Sequence, residues 1–167
     1  RPSSEKTWDK GTGAAVAETC YTNTRCHDIT LRDYKAYYNN TLGLNIVVND
    51  DLAIENNTTG QDNAASGYRA LYNNTAGRDN TASGVQALYN NTEGNYNTAS
   101  GYKALYKNIT GINNTASGHL AFYNNTTGND NTASGHRALS NNPEGHDNTA
   151  SGVQDPYNNT EDTYNTH

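Results

Sequence analysis

The sequence predicts an all-β protein, a β-solenoid or β-roll in which each 17-residue repeat makes one rung. Three observations carry that expectation. The segment NTASG, or a near copy, begins at 63, 80, 97, 114, 131 and 148, always 17 residues apart and without insertion. Two glycines and several small residues recur in fixed columns, as closely stacked backbone needs. Hydrophobic residues make up only 32% of the chain, too few for an ordinary globular core. Disorder would bring high net charge or loss of pattern; here the formal charge is -6 and the polar residues hold strict register.

The elements follow in order. Residues 1–28 form a divergent N-terminal segment containing Cys20 and Cys26 in CYTNTRC. In an exported protein a disulfide is the expected state of such a pair, closing a short loop that caps the array, with two free thiols as the alternative. The neighbouring Arg-Cys-His lacks the C-x-x-C-H spacing of haem attachment, so no cofactor is expected. The chain opens on Arg1 rather than Met and reads as a processed, mature form. The repeat array spans 29–164, its early copies weaker: residues 33–45 align with 101–113, and 52–62 with 69–79. Residues 165–167 read as a tail.

Within a rung the columns divide the work. Asn63, Asn80, Asn97, Asn114, Asn131 and Asn148 form an unbroken column whose stacked amides can bond backbone and one another between rungs. An Ala column and a Ser column follow, then Gly67 to Gly152. Leu71, Leu88, Leu105, Phe122 and Leu139, each preceded by Ala, make a one-residue-wide apolar spine. Tyr72, Tyr89, Tyr106, Tyr123 and Tyr157 come directly after it. A second Gly column runs from Gly60 to Gly145, so each rung should turn sharply or take positive φ twice. The stretch SGYKALY also tolerates helix, leaving a single helical turn per rung open. Stacking at the parallel-strand spacing would give a rod about 40 Å long.

The motif N-T-A-S-G-Y-x-A-L-Y-x-N-T-T-G resembles the tandem repeats of bacterial surface adhesins related to the heads of trimeric autotransporters, and similar arrays in phage-like tail-fibre proteins. That resemblance covers about four fifths of the chain. It implies a β-roll, often trimeric, with a surface-display or fibre role. The rung here is longer than in those heads, and no coiled-coil stalk, membrane anchor or self-cleaving chaperone accompanies it in this sequence.

No nucleophile–base pair or phosphate loop is apparent, and the protein is expected not to be an enzyme. Glu55, Glu93, Glu144 and Glu161 are single carboxylates near the second Gly column and read as a solvated edge. His119 and His136 share a column on adjacent rungs, but so do Tyr68, Val85, Tyr102 and Val153, which favours a variable surface position over a metal site. Asp62, Asp79, Asp130 and Asp147 align without the Gly-rich calcium pattern. The acidic balance disfavours nucleic acid and anionic lipid, and no stretch approaches the roughly 20 apolar residues of a membrane span.

The N-x-[S/T] acceptor pattern recurs at Asn39, Asn56, Asn57, Asn73, Asn90, Asn108, Asn113, Asn124, Asn125 and Asn158, most of them on one corner of the rung. An Asn/Thr-rich repeat also produces that pattern by chance. The Tyr column suits either carbohydrate contact or stacking between rungs and chains. The expected function is that of an extracellular, cell-surface or virion-surface adhesive or structural repeat protein. It would self-assemble into a trimer sharing Tyr and Leu, or into a filament, and contact carbohydrate or a host surface. The alternative is an ice-binding solenoid, suggested by the column Thr81, Thr98, Thr115, Thr132 and Thr149.

Overall fold

A computed structural model of the chain describes residues 30–31, 42–50, 52–154 and 166. Cys20, Cys26, Asn39 and Asn158, and with them the expected disulfide, lie outside the described residues. Eight strands form one all-parallel sheet in sequence order. They are β1 (Thr30–Leu31), β2 (Val47–Asn49), β3 (Ala64–Ser66), β4 (Thr81–Ser83), β5 (Thr98–Ser100), β6 (Thr115–Ser117), β7 (Thr132–Ser134) and β8 (Thr149–Ser151). Every pairing joins residue i to i+17, from Thr30 with Val47 to Ser134 with Ser151. Thr166 continues the register as a parallel bridge to Thr149, inside what the sequence reading assigned to the tail. The solenoid expected from the repeat is the fold of the described residues.

From β3 to β8 each strand lasts three residues because it is hemmed in by an Asn whose side chain turns inward and a Gly whose φ is about +130° in most rungs, such as 134° at Gly67 and 135° at Gly84. Along β4 to β8 the central Ala is buried while Thr and Ser face out. The helix-tolerant stretch after the strand is not helical, and no helix occurs among the described residues. It is a run of turns, closed by Ala70 N–H donating to Gly67 O (2.9 Å) and Asn74 N–H donating to Leu71 O (3.1 Å). Arg69 (φ 56°) takes the left-handed position that the third residue of a type II turn needs. Leu71 (φ 50°) is left-handed too, as are Leu88, Leu105, Phe122 and Leu139 below it. A helix would spend the N–H groups within the rung. Here Leu71 N–H donates to Ala87 O (3.0 Å) and Asn73 N–H to Tyr89 O (3.0 Å), so the turn wall is itself an inter-rung ladder.

The interior is narrow and half polar. Leu71, Leu88, Leu105, Phe122 and Leu139 are fully buried with two Ala columns. Two Asn columns complete it. In the first, Asn63 Oδ1 accepts from Asn80 N–H (3.0 Å) and Asn63 Nδ2 donates to Gly77 O (2.8 Å). The same pair of bonds repeats at Asn80, Asn97, Asn114 and Asn131. In the second, Asn74 Nδ2 donates to Asn57 Oδ1 (2.8 Å) and to Gly77 O (3.0 Å), a pattern that continues through Asn91, Asn108 and Asn125. The Gly77 carbonyl thus accepts from both columns. A buried amide left unpaired costs about 1–3 kcal/mol; the Asn amides of these columns from Asn63 to Asn131 are paired, Asn142 Nδ2 in the second column being the exception, and that pairing is why so thin an apolar spine suffices.

The two Gly columns share a demand for space but differ in φ. Gly67 and its equivalents supply positive φ and also leave no room for a Cβ against the glycine of the next rung. The column from Gly60 to Gly145 has no positive φ among its members; its demand is space. A Cβ on Gly77 would overlap the Asn74 amide and the carbonyl of Gly94.

Candidate binding faces

The turn wall carries the chain's aromatic and cationic groups. Tyr72, Tyr89, Tyr106 and Tyr123 stack one above another, with centroids 5.1, 5.1 and 5.2 Å apart and planes within 11°. A parallel column on the wall's other margin stacks Tyr102 on His119 and His119 on His136, each at 5.1 Å. Between the two columns stands Arg69, its guanidinium 5.1 Å from the Tyr68 ring and 5.2 Å from the Tyr72 ring. Lys103 sits likewise, 5.2 Å from Tyr102 and 5.3 Å from Tyr106. Of the two alternatives for the tyrosines, stacking between rungs is the one realised within the chain. Their faces are spent on each other, leaving hydroxyls and edges outward.

Electrostatics divide the molecule along its length. Of the Lys and Arg in residues 52–154, Arg69, Lys103, Lys107 and Arg137 belong to this wall and Arg78 does not. Of the acids there, Glu55 alone lies on the wall, while Asp62, Asp79, Glu93, Asp130, Glu144 and Asp147 lie on the return segment. Arg69, Lys103 and Arg137 stand 34 residues apart, two rungs each, with Gln86 and Leu120 between. At a rung spacing of ~4.8 Å the cations fall about 10 Å from one another. That separation avoids like charges on adjacent rungs. The sequence held this signal, but a 17-residue comparison hides a 34-residue one.

Ionisation follows the packing. Burial, reinforced by Tyr89 and Tyr123, pushes the Tyr106 phenol above its ordinary value. A hydrogen bond with Glu55, then burial, does the same to Tyr72. Lys103 is raised by its hydrogen bond with the Tyr102 hydroxyl. Among the described residues the tyrosine column runs to Tyr123, and Ser140, nearly fully buried, takes the next position. Nearby is an open groove of about 440 Å³ lined by Tyr102, Lys103, Leu120, Tyr123, Asn124, Arg137 and Ser140.

The strand face presents Thr81, Thr98, Thr115, Thr132 and Thr149 and, two residues on, Ser83, Ser100, Ser117, Ser134 and Ser151, all exposed. The two hydroxyl columns are therefore neighbours on one face of the parallel sheet, spaced about 6.6 Å along each strand and ~4.8 Å between strands.

The sequon positions separate by environment. Asn57, Asn108 and Asn125 are fully buried with Nδ2 engaged in the inner ladder, so the folded chain cannot present them to a glycosyltransferase. The expectation of a single outward corner fails for these three because neighbouring Asn residues point to opposite sides of the wall. Asn56, Asn73, Asn90 and Asn124 lie half-buried in an outer amide ladder, Asn56 Nδ2 donating to Asn73 Oδ1 (3.1 Å) and Asn73 Nδ2 to Asn90 Oδ1 (3.0 Å). Asn113 is exposed at another corner and donates to Asp130 (3.0 Å). His119 and His136 are exposed, and no group of three or more His, Cys, Asp or Glu capable of holding a metal occurs among the described residues.

No protein-family model, curated protein or solved structure matches the chain. The reading of function therefore rests on these faces.

Proposed function

We propose that the protein is a non-enzymatic structural and adhesive repeat module that acts outside the cell, on a cell or virion surface. The observation that carries this reading is the division of labour within the rung. Everything that holds the rungs together points inward or along the axis, while two long, regular walls are left free to meet a surface. Such extended faces are what stacked-repeat proteins use for binding. The resemblance of N-T-A-S-G-Y-x-A-L-Y-x-N-T-T-G to adhesin and tail-fibre repeats points the same way.

Self-assembly is part of the proposal. The complete burial of the Leu side chains within one chain favours contacts at the ends of the stack over a trimer that shares Leu. A parallel ladder offers unpaired N–H and C=O groups only along its axis, so homo-oligomers form by end-to-end contact, and unlike ends favour filaments. The test is light scattering and negative-stain microscopy of the purified protein, together with its retention on intact cells. Rods or filaments that coat cells support the reading; a monomer that leaves cells uncoated overturns it.

The in-register Thr/Ser face favours a second reading, ice binding, because regularly spaced hydroxyls on a stacked sheet can order water. Thermal hysteresis of the intact protein decides it. Hysteresis lost in Thr115→Lys would establish this reading; its absence would remove it.

A further inference from the structure

Resting on the adhesive reading, we propose that Tyr96 is the platform of a carbohydrate-binding site, taking one face of a neutral sugar ring while Arg78, Glu93 and Asn95 bond its hydroxyls. Tyr96 stands on the return segment, in a column that the described residues otherwise fill with Asn45, Asp62, Asp79, Asn113, Asp130 and Asp147. All these positions are left-handed, with φ between 52° and 57°. Asn and Asp tolerate that conformation, whereas a bulky ring does not. Leu88 takes a similar φ but is fully buried, which offsets the strain. Tyr96 is 62% exposed, so burial offsets little. It also forgoes the side-chain bond its column makes elsewhere, Asn45 Nδ2 to Asp62 Oδ1 at 2.7 Å and Asn113 Nδ2 to Asp130 Oδ1 at 3.0 Å. A residue that strains its own rung and faces solvent has its use outside the chain.

The surroundings of Tyr96 narrow the ligand. Its N–H donates to Arg78 O (3.0 Å), and Arg78 N–H donates to Asn95 Oδ1 (2.9 Å), which fixes the Asn95 amide and leaves Nδ2 to donate elsewhere. With Ala76 and Glu93 these residues line an open groove of about 350 Å³, at the small end of the roughly 300–1,000 Å³ typical of ligand sites. Ala76 makes the room, since Thr59, Glu93, Thr110, Thr127 and Glu144 hold its position in other rungs. The rings from Tyr72 to Tyr123 cover one another, but Tyr96 lies between Asp79 and Asn113, so no ring of its column covers its face. A sugar has an apolar C–H face for such a ring and hydroxyls for the amide, carboxylate and guanidinium beside it. Arg78 and Glu93 cancel in charge, and Asp79 next to them opposes an anion, so the ligand is neutral. A peptide fits worse. A helix needs an apolar groove and a strand an open sheet edge, whereas this groove is lined by polar groups and lies away from the ends of the stack.

The experiment titrates the intact protein with tetramers of N-acetylglucosamine, glucose, galactose and mannose, and with tetragalacturonate as a charged control, following heat and the proton spectrum of each oligosaccharide. At least one neutral tetramer should bind, at least about tenfold tighter than tetragalacturonate. Tyr96→Asn, which restores the residue type of its column, should lose at least about tenfold in affinity while melting no lower than the parent. Tyr96→Phe keeps the ring and should stay within about threefold of the parent. Failure of all the neutral tetramers overturns the proposal, as does equal binding by Tyr96→Asn or tighter binding of tetragalacturonate. A lower melting temperature for Tyr96→Asn would make Tyr96 a structural residue and overturn it as well. The adhesive reading fails separately. If the parent and Tyr96→Asn coat cells alike, that function stands and only this site is lost; if the parent binds a tetramer yet leaves cells uncoated, the site stands and the adhesive reading is lost.

Discussion

Lys107 occupies the position held by Asn56, Asn73, Asn90, Asn124 and Asn141 in other rungs, and the outer amide ladder breaks there. Each Asn in that column donates Nδ2 to the Oδ1 one rung on, so Lys107 leaves Asn124 Oδ1 with no donor, although that atom is buried. Lys107 turns instead over the Tyr123 ring, 5.6 Å from its centroid. The two effects can be weighed. A buried acceptor without a partner costs about 1–3 kcal/mol, whereas an exposed cation–π contact contributes about 0.5–1 kcal/mol. Lys107→Asn should therefore stabilise the protein by about 1 kcal/mol, a rise of roughly 2–4 °C in melting temperature for a chain of this size. Thermal unfolding followed by circular dichroism checks it, and a lower melting temperature would refute the ladder argument. Glycine makes the complementary point. Gly77 and Gly84 look equivalent in the sequence and both are crowded by the next rung, yet only Gly84 also takes a positive φ, of 135°, while Gly77 is hemmed in by Asn amides.

Among the elements, the inner Asn ladder is the most exacting. Asn97 accepts from Asn114 N–H at 2.9 Å and donates to Gly111 O at 2.8 Å. Asn97→Ala would orphan the buried N–H and open a void, at a cost of about 2–4 kcal/mol. Thr98→Ala, one residue later on the outer face, should stay within about 0.5 kcal/mol. Urea denaturation separates the two, and equal midpoints would mean that the ladder does not hold the rungs. The tyrosine column makes a prediction in pH. Tyr106 has its pKa raised in the folded state by burial and by Tyr89 and Tyr123. Its contribution is thus fully present below the unfolded value of about 10 and is lost as pH rises through the folded value. Stability should be level to about pH 9 and fall above ~10, and Tyr106→Phe, which keeps the stack, should reduce the fall. These elements were unequally legible. The Asn column announced a ladder, because an amide repeated at every rung has few other uses. The turn wall did not announce itself, because Ala-Leu-Tyr has ordinary helical propensity. What overrides that propensity is the ladder to the next rung, which holds Leu88 at φ 50°. The turn wall was legible in its tyrosines but not in its cations, whose two-rung spacing shows only once the rungs are stacked.

At the scale of the whole molecule, the register of 17 residues is the one quantity on which every interaction depends. Strand pairing, both inner Asn ladders, the outer ladder and the ring stacks all join i to i+17. The Asn-to-Gly bonds join i to i+14 because they cross to the neighbouring rung. A rung contacts the rungs before and after it and needs nothing from further away, so stability is close to a sum over rungs and their interfaces. Deleting residues 97–113 removes one whole rung and brings each position of 80–96 against its equivalent in 114–130. Tyr89 then meets Tyr123, Ala82 meets Ala116, and Asn80 meets Asn114, so every inner contact is re-formed by a residue of the same type. Asn90 also meets Asn124, which mends the break at Lys107. The shortened protein should fold with the same circular-dichroism shape and a rod shorter by ~4.8 Å, measurable by small-angle scattering. Deleting only 97–105 removes half a rung and puts Asn against Ala and Gly against Leu, burying unpaired amides throughout the junction; that chain should be unfolded or split into two short stacks. If both deletions melt alike, the 17-residue register is not what organises the fold.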